Sequence, residues 1–384
     1  MASILGNNRR YERPLSEKIW HLGWALIFLV AVISAVGFAM LYSAANGSIH
    51  PWAVNQMIRF GVGLSVMVTL AMVDIRTWMR WSYPIYGVML FMLAGVELYG
   101  EIGMGAQRWI DLGVVRLQPS ELMKIAMVLA LARYFHGLQV EDVGRLSWLV
   151  PPALIVLTPA FLVLRQPDLG TAGMLMLAGA AMFFIAGVRA WLFVVIGVAG
   201  LAAIPVGWQM LREYQRQRVL TFLNPETDPL GSGYHILQSK IALGSGGMFG
   251  KGFLQGTQSH LNFLPERQTD FIFTMLAEEF GLVGGVALIA MYTLVIAYGV
   301  AIGLWSRNHF GRLLAMGVTT TIFLYVFINI AMVTGLIPVV GVPLPLISYG
   351  GTAMLTIMIG LGLMMSVLVH RDTFIGRRGP SEDD

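Results

Sequence analysis

"DFIFTMLAEEFGLVGGVALIAMYTLVIAYGVAIGL" occupies residues 270–304. Beyond Glu279 it is uncharged for longer than the roughly 30 Å hydrocarbon layer of a bilayer requires. It reads as a membrane-crossing helix, long enough to tilt or to project from the bilayer. Its doorway, "FLPERQTDFIF" (263–273), crowds Glu266, Arg267 and Asp270 together. Interfacial solvation explains one or two such charges, and three call for a further reason. The chain as a whole has 384 residues, 57% hydrophobic and 12% charged. A soluble domain of that length needs far less apolar surface, so the membrane is its solvent.

Working outward, nine more runs of spanning length lie near 19–43, 55–73, 82–100, 120–136, 147–163, 171–188, 190–211, 312–334 and 347–369. Together they predict an all-α polytopic membrane protein with ten transmembrane helices and both termini on one side. The positive-inside rule makes that side cytoplasmic. It puts Arg9, Arg10, Arg13, Lys18, Arg76, Arg80, Arg145, Arg189, Arg307, Arg312, Arg371, Arg377 and Arg378 in short inner segments, and leaves chiefly Arg108, Arg116 and Arg165 in short outer ones. The expected organisation is a cytoplasmic tail (1–18, polar and unlike a signal peptide), a membrane domain (19–370) and a cytoplasmic tail (371–384). A large outer loop, 212–269, separates the seventh and eighth spans. Loops of that length are uncommon without a function. Within it, "YHILQSKIALGSGGMFGKGFLQG" is too short and glycine-rich to span. It predicts a re-entrant or surface-lying helix followed by a flexible turn.

The net charge of +4 is small and scattered, which argues against nucleic-acid binding. The absence of cysteine excludes disulfides, thiolate metal sites and cysteine nucleophiles. "GSGGMFGKG" (244–252) fails as a nucleotide loop, because Gly252 follows the glycine-lysine pair and Ser245 stands where the first glycine belongs.

Each span entered from the outer face has a proline at or near its start: Pro51, Pro119, Pro167, Pro265 and Pro345. Proline suits a first helical turn, and Ser120 and Asp168 add capping side chains nearby. Five helix N-termini facing one side would suit phosphate if they converge. Glu121 and Lys124 share a helix face three residues apart. They either neutralise one another inside the membrane or join Arg116, whose planar fork suits phosphate oxygens. Asp168 is either a helix cap or a cap that also holds a sugar hydroxyl or a divalent cation. Arg212, Arg216 and Arg218 form either a phosphate-reading cluster or an ordinary solvated helix end. Asp270, Thr274 and Glu278, spaced by four, are expected on one helix face turned to the protein interior.

"GTQSHLNFLPERQTDFIFTMLAEEFGLVG" (256–284) resembles the signature of the SEDS family (shape, elongation, division and sporulation). "RLQPSELMK" (116–124), "QPDLGTA" (166–172) and "PLPLISYGGTAM" (343–354) are similar to its other blocks. Within the family, the block around 252–273 is most like the elongation member, with the division member as the alternative. The resemblance implies a peptidoglycan glycosyltransferase in the bacterial cytoplasmic (inner) membrane, with its site on the outer, periplasmic face. It would polymerise lipid II, a disaccharide-pentapeptide on undecaprenyl pyrophosphate, during cell elongation and rod-shape maintenance. The implied partners are a class B penicillin-binding protein, which supplies a transpeptidase, and other elongation-complex membrane proteins.

The family's essential aspartate matches Asp270. An α-linked donor and a β-1,4 product require one inversion and one general base. Charge on the pyrophosphate would be met by Arg116, Lys124, Lys240, Arg267 or a bound Mg²⁺ or Mn²⁺. Thr269, Glu121, Asp168 and Arg212 complete the candidate substrate contacts. A lipid flippase or transporter is the rival reading. Against it, the polar residues lie at the outer rim and no inverted repeat is visible.

Overall fold

The computed structural model describes residues 15–103, 106–111, 113, 116–139, 141–210, 213–224, 232–260 and 266–376. Each of the ten predicted runs falls on a helix. In chain order, α1 (Leu15–Trp20) precedes α2 (Trp24–Ala44), α3 (Trp52–Met72) and α4 (Ile75–Tyr99). Three strands follow, β1 (Glu101–Gly103), β2 (Ala106–Asp111) and β3 (Arg116–Leu117), and then α5 (Pro119–Gly137), α6 (Leu146–Arg165), α7 (Leu169–Ile185) and α8 (Ala190–Met210). α9 (Glu213–Leu223), α10 (Ser232–Ser245) and α11 (Thr257–His260) lie in the long loop. α12 (Ile272–Trp305), α13 (His309–Val333) and α14 (Gly351–Val369) close the chain. Among the described residues seven helices, α2, α3, α6, α8, α12, α13 and α14, are long and apolar enough to cross a bilayer. α4, α5 and α7 are shorter or more polar. This is a multi-pass membrane protein.

α5, α13 and α14 are buried on nearly every face, and α13 packs against α5, α7, α12 and α14. Helices that are apolar all round belong in such a centre or against lipid. α8 takes the second place: Val194, Ile196, Leu201 and Ile204 are all exposed.

The bundle's two ends differ. At the tail end, residues 371–376 lie across the helix termini. Arg76 donates to the Phe374 carbonyl (3.3 Å) and Asn308 to the Thr373 carbonyl (3.3 Å). At the other end, β1, β2 and β3 form a small antiparallel sheet with Asp111 opposite Arg116. No sheet is expected there from the sequence, because β1 and β3, of three and two residues, carry too little alternation to register.

Two further expectations are corrected. The "GSGGMFGKG" turn is not a loose hinge. α12 breaks at Gly281 (φ 67°), and the turn is laced into the break. Leu282 N donates to Gly247 O (2.9 Å), Val283 N to Met248 O (3.1 Å), Lys251 N to Glu278 O (3.0 Å) and Gly252 N to Glu279 O (3.0 Å). A β-carbon at Gly281 or Gly250 would overlap the backbone of the other segment, so glycine serves here for close approach. Pro345, expected at a helix entrance, lies six residues before α14 in an irregular stretch, 334–350, and its carbonyl accepts from Tyr292. Pro51 and Pro119 do stand at helix starts, while Pro265 lies outside the described residues.

Candidate active site

Asp270 is not on the α12 face with Thr274 and Glu278. It sits in the turn 266–271, two residues ahead of the first helical residue, Ile272. The turn is closed by Thr269 N and Phe271 N donating to the Glu266 carbonyl (3.0 and 3.4 Å). Thr269 Oγ1 reaches the Glu266 carboxylate (2.9 Å). Glu266 has φ 53° and Leu346 φ 67°, a region that costs a non-glycine residue about 1–3 kcal/mol and recurs at functional sites.

The irregular stretch 334–350 frames this turn. Tyr349 N donates to Gln268 O (2.8 Å), and Ser348 Oγ to Thr269 O (2.6 Å). Asn329, on α13, donates to the carbonyls of both Asp270 (3.0 Å) and Val342 (2.7 Å). The Asp270 carboxylate lies beside Gly341, with Oδ2 3.5 Å from where a β-carbon of that residue would stand. A β-carbon there would be in ordinary contact with the half-buried acid, and the φ of 70° at Gly341 is what favours glycine. Arg267 is buried in the same turn, and that burial lowers its guanidinium's proton affinity below the ordinary level.

Three neighbouring groups adjoin this frame. At the start of α7, Asp168 caps the helix by accepting from Thr171 N (3.1 Å) and Thr171 Oγ1 (3.0 Å). Arg108, on β2, approaches it at 3.8 Å and donates to the carbonyls of Gln166 (3.3 Å) and Pro167 (2.6 Å). Gly170 meets Val340 so closely that a β-carbon would collide with the Val340 carbonyl. On α5, Glu121 and Lys124 form an ion pair at 2.7 Å, 5% and 1% exposed. Tyr325 donates to the other Glu121 oxygen, and Lys124 stands 4.3 Å from the Tyr325 ring centre. Tyr325 and Asn329 are four apart on α13, so one helix face ties this pair to the Asp270 turn. At the rim, Arg116 is 69% exposed and 3.5 Å from Asp111. Its carbonyl accepts from Thr352 at the start of α14 (3.0 Å).

A family model described as "Cell cycle protein" (FtsW/RodA/SpoVE) matches residues 18–373. The chain belongs to the FtsW/RodA/SpoVE family. It is 43% identical over 373 residues to the peptidoglycan glycosyltransferase MrdB of Escherichia coli K12, covering 94% of this chain and 98% of that one. Among solved structures, it matches a chain of a peptidoglycan synthase complex that coordinates polymerization and crosslinking. There the TM-score is 0.78 at 35% identity, over 91% of this chain and 98% of the other. Rod-shape-determining RodA of Thermus thermophilus matches with a TM-score of 0.70 at 30% identity, over 92% and 98%.

In this FtsW/RodA/SpoVE protein the residues singled out from sequence divide by environment. Asp270, Arg267 and Thr269 share one turn. Asp168 adjoins the frame as a cap, and Glu121 and Lys124 lie inside the bundle as a pair. Lys240, on α10, packs against Gly335. Arg212 lies outside the described residues, while Arg216 closes the α8–α9 junction by donating to Trp208 O (3.0 Å) and Gln209 O (2.7 Å). Glu278 is fully buried and accepts from Lys251 Nζ (2.8 Å), Thr257 Oγ1 (3.2 Å) and Gln258 N (2.9 Å), which makes it a structural anchor. Glu279 takes Ser43 Oγ on α2. Sequence reading missed Asn329 and Tyr325, whose signal is a polar pair four apart within an apolar span. It also named Arg108 only as a loop charge.

A divalent cation needs several oxygen ligands. Among the described residues no cluster of three or more His, Asp or Glu side chains is placed to hold one by itself.

Proposed function

We propose that this chain polymerises lipid II into β-1,4 glycan strands with inversion, as the elongation-type peptidoglycan glycosyltransferase of its cell. The carrying observation is a half-buried carboxylate, Asp270, whose backbone is held by a strained turn and a second backbone segment beside a buried arginine. That matches a reaction needing one base and several cations. Asp270 takes the proton from the acceptor sugar's 4-hydroxyl as O4 forms its bond to C1 of the donor. The bond from C1 to the phosphate oxygen breaks on the opposite face. Undecaprenyl pyrophosphate leaves with the electron pair, and the proton passes from Asp270 to water.

Arg267, Arg116, Lys240 and Arg212 are the groups proposed to meet the pyrophosphate charge, with Thr269 and Asp168 offered to sugar hydroxyls. The Glu121–Lys124 pair holds α5 and α13 in place beneath them and supplies the lysine for the substrate only where the pair opens. A Mg²⁺ or Mn²⁺ ion bound with the pyrophosphate would share that charge.

The reading also places ten crossings, α2 to α8 and α12 to α14, in the bacterial cytoplasmic membrane. Residues 19–370 form the membrane domain, both tails (1–18 and 371–384) are cytoplasmic, and the sheet end with the 212–269 loop is outside. Its partners are a class B penicillin-binding protein and other membrane proteins of the elongation machinery. The test is lipid II polymerisation by the purified chain with the partner's transpeptidase blocked by a β-lactam. Glycan strands are expected. Lipid translocation without polymer would overturn the reading in favour of a flippase.

A further inference from the structure

Arg59 lies on α3, seven residues past Trp52 and about 10 Å along the helix. Its guanidinium carbon is 4.5 Å from the Tyr349 ring centre, and its Nε is 3.2 Å from where a β-carbon of Gly351 would stand. Its Nη1 is buried and, among the described residues, has no hydrogen-bond partner. Gln56 sits one turn earlier on the same helix face, fully buried. It donates to Ser348 O (2.9 Å), while its Oε1 has no partner among the described residues. A donor and an acceptor are thus open side by side. They belong to a helix that crosses the membrane, where an uncompensated guanidinium is costly and normally meets an anion. The Tyr349 ring offsets part of that cost but leaves Nη1 without a partner among the described residues.

The surrounding strip belongs to the frame of Asp270. Ser348 and Tyr349 are tied to Thr269 and Gln268, and Thr352 is tied to the Arg116 carbonyl. We propose that Arg59, with Gln56 beside it, binds the phosphate ester of a lipid-anchored ligand next to the Asp270 turn. A planar guanidinium donates to two phosphate oxygens at once. The neighbouring amide oxygen suits a hydroxyl or amide N–H on the group that the phosphate carries. Two molecules share that chemistry: a prenyl pyrophosphate linked to a sugar, and a phospholipid such as phosphatidylglycerol. The first is the ligand that the glycosyltransferase reading requires, and the choice between them rests on that reading.

The experiment measures binding of farnesyl pyrophosphate to the purified full chain, and retention of phosphatidylglycerol by native mass spectrometry. Both are compared among the native protein, R59M and R59K, and the lipid II KM is read in parallel. R59M is expected to weaken farnesyl pyrophosphate binding about tenfold and to raise KM more than it lowers kcat, with R59K in between. A loss confined to phosphatidylglycerol keeps the phosphate site and assigns it to bilayer lipid. Unchanged binding of both probes in a folded R59M overturns the proposal. If R59M does not fold, R59K decides by the same criterion, since it keeps the charge and loses the fork. Absence of polymer from the native chain would remove the glycosyltransferase reading while leaving the binding result intact.

Discussion

At the tail end of the bundle, Arg76 and Asn308 donate to backbone carbonyls of residues 373–374, and helix α13 begins under an ordinary asparagine cap, Asn308. At the sheet end, α12 and α14 are both entered through irregular backbone, Glu266 and Leu346 adopt left-handed conformations, and α12 is broken at Gly281. Both ends must satisfy the same helix termini. The tail end does it with caps and a strap of chain. The sheet end uses two non-helical segments that hold each other, and Asp270 stands where they meet. Irregular backbone must still pair its polar groups, and here the two segments pair with each other. The backbone of Asp270 is held there by Asn329, and its carboxylate lies beside Gly341.

Asp270→Asn should have the largest effect. It removes the base while keeping shape, so polymerisation should fall by about a hundredfold to ten-thousandfold with the melting temperature unchanged. Equal polymer from both proteins would detach the frame from the chemistry. Next is Glu121→Ala, which leaves Lys124 as an uncompensated buried charge and should cost about 3–5 kcal/mol of stability. Denaturant unfolding in detergent measures it, and a loss below about 1 kcal/mol, the range of surface pairs, would mean that the pair is solvated. Gly281→Ala forces a β-carbon into a left-handed, crowded position and should cost about 1–3 kcal/mol from backbone conformation alone, read as a fall in melting temperature. The finest contrast is between two caps. Asp168→Ala and Asn308→Ala should each cost about 1 kcal/mol. Only the first, which also frees Arg108 beside the frame, should lower polymerisation; equal activity in both variants would separate the α7 entrance from the site.

Much of the site was legible because its residues are chemically out of place. Asp270 and Arg267 are charges at the mouth of an apolar run, and Glu121 and Lys124 are ions three apart in another. The Asp168 cap follows from its position before a helix. Three things were not legible. Asn329 reaches the Asp270 carbonyl across fifty-nine residues of sequence, and no local pattern records such a partner. Arg59 looks like one stray charge until Tyr349 is seen beneath it. The glycine-rich turn at 244–252 reads as flexible from composition, since glycine signals both freedom and close approach. Only its pairing with the α12 break tells which applies.

By itself, the sequence determined the membrane class, the helices on which all ten apolar runs fall, and the out-of-place charges, Asp270 and Arg267, at the mouth of one of them. Hydropathy and burial cost are local properties, summed over a window of residues. Tertiary structure alone decided that Asp270 precedes its helix rather than lying within it. It also decided that Glu278 is an anchor, that the Glu121–Lys124 pair is closed, and that the 334–350 stretch completes the frame. Those outcomes depend on which distant backbone donors find which carbonyls, and packing sets that only once the helices have met.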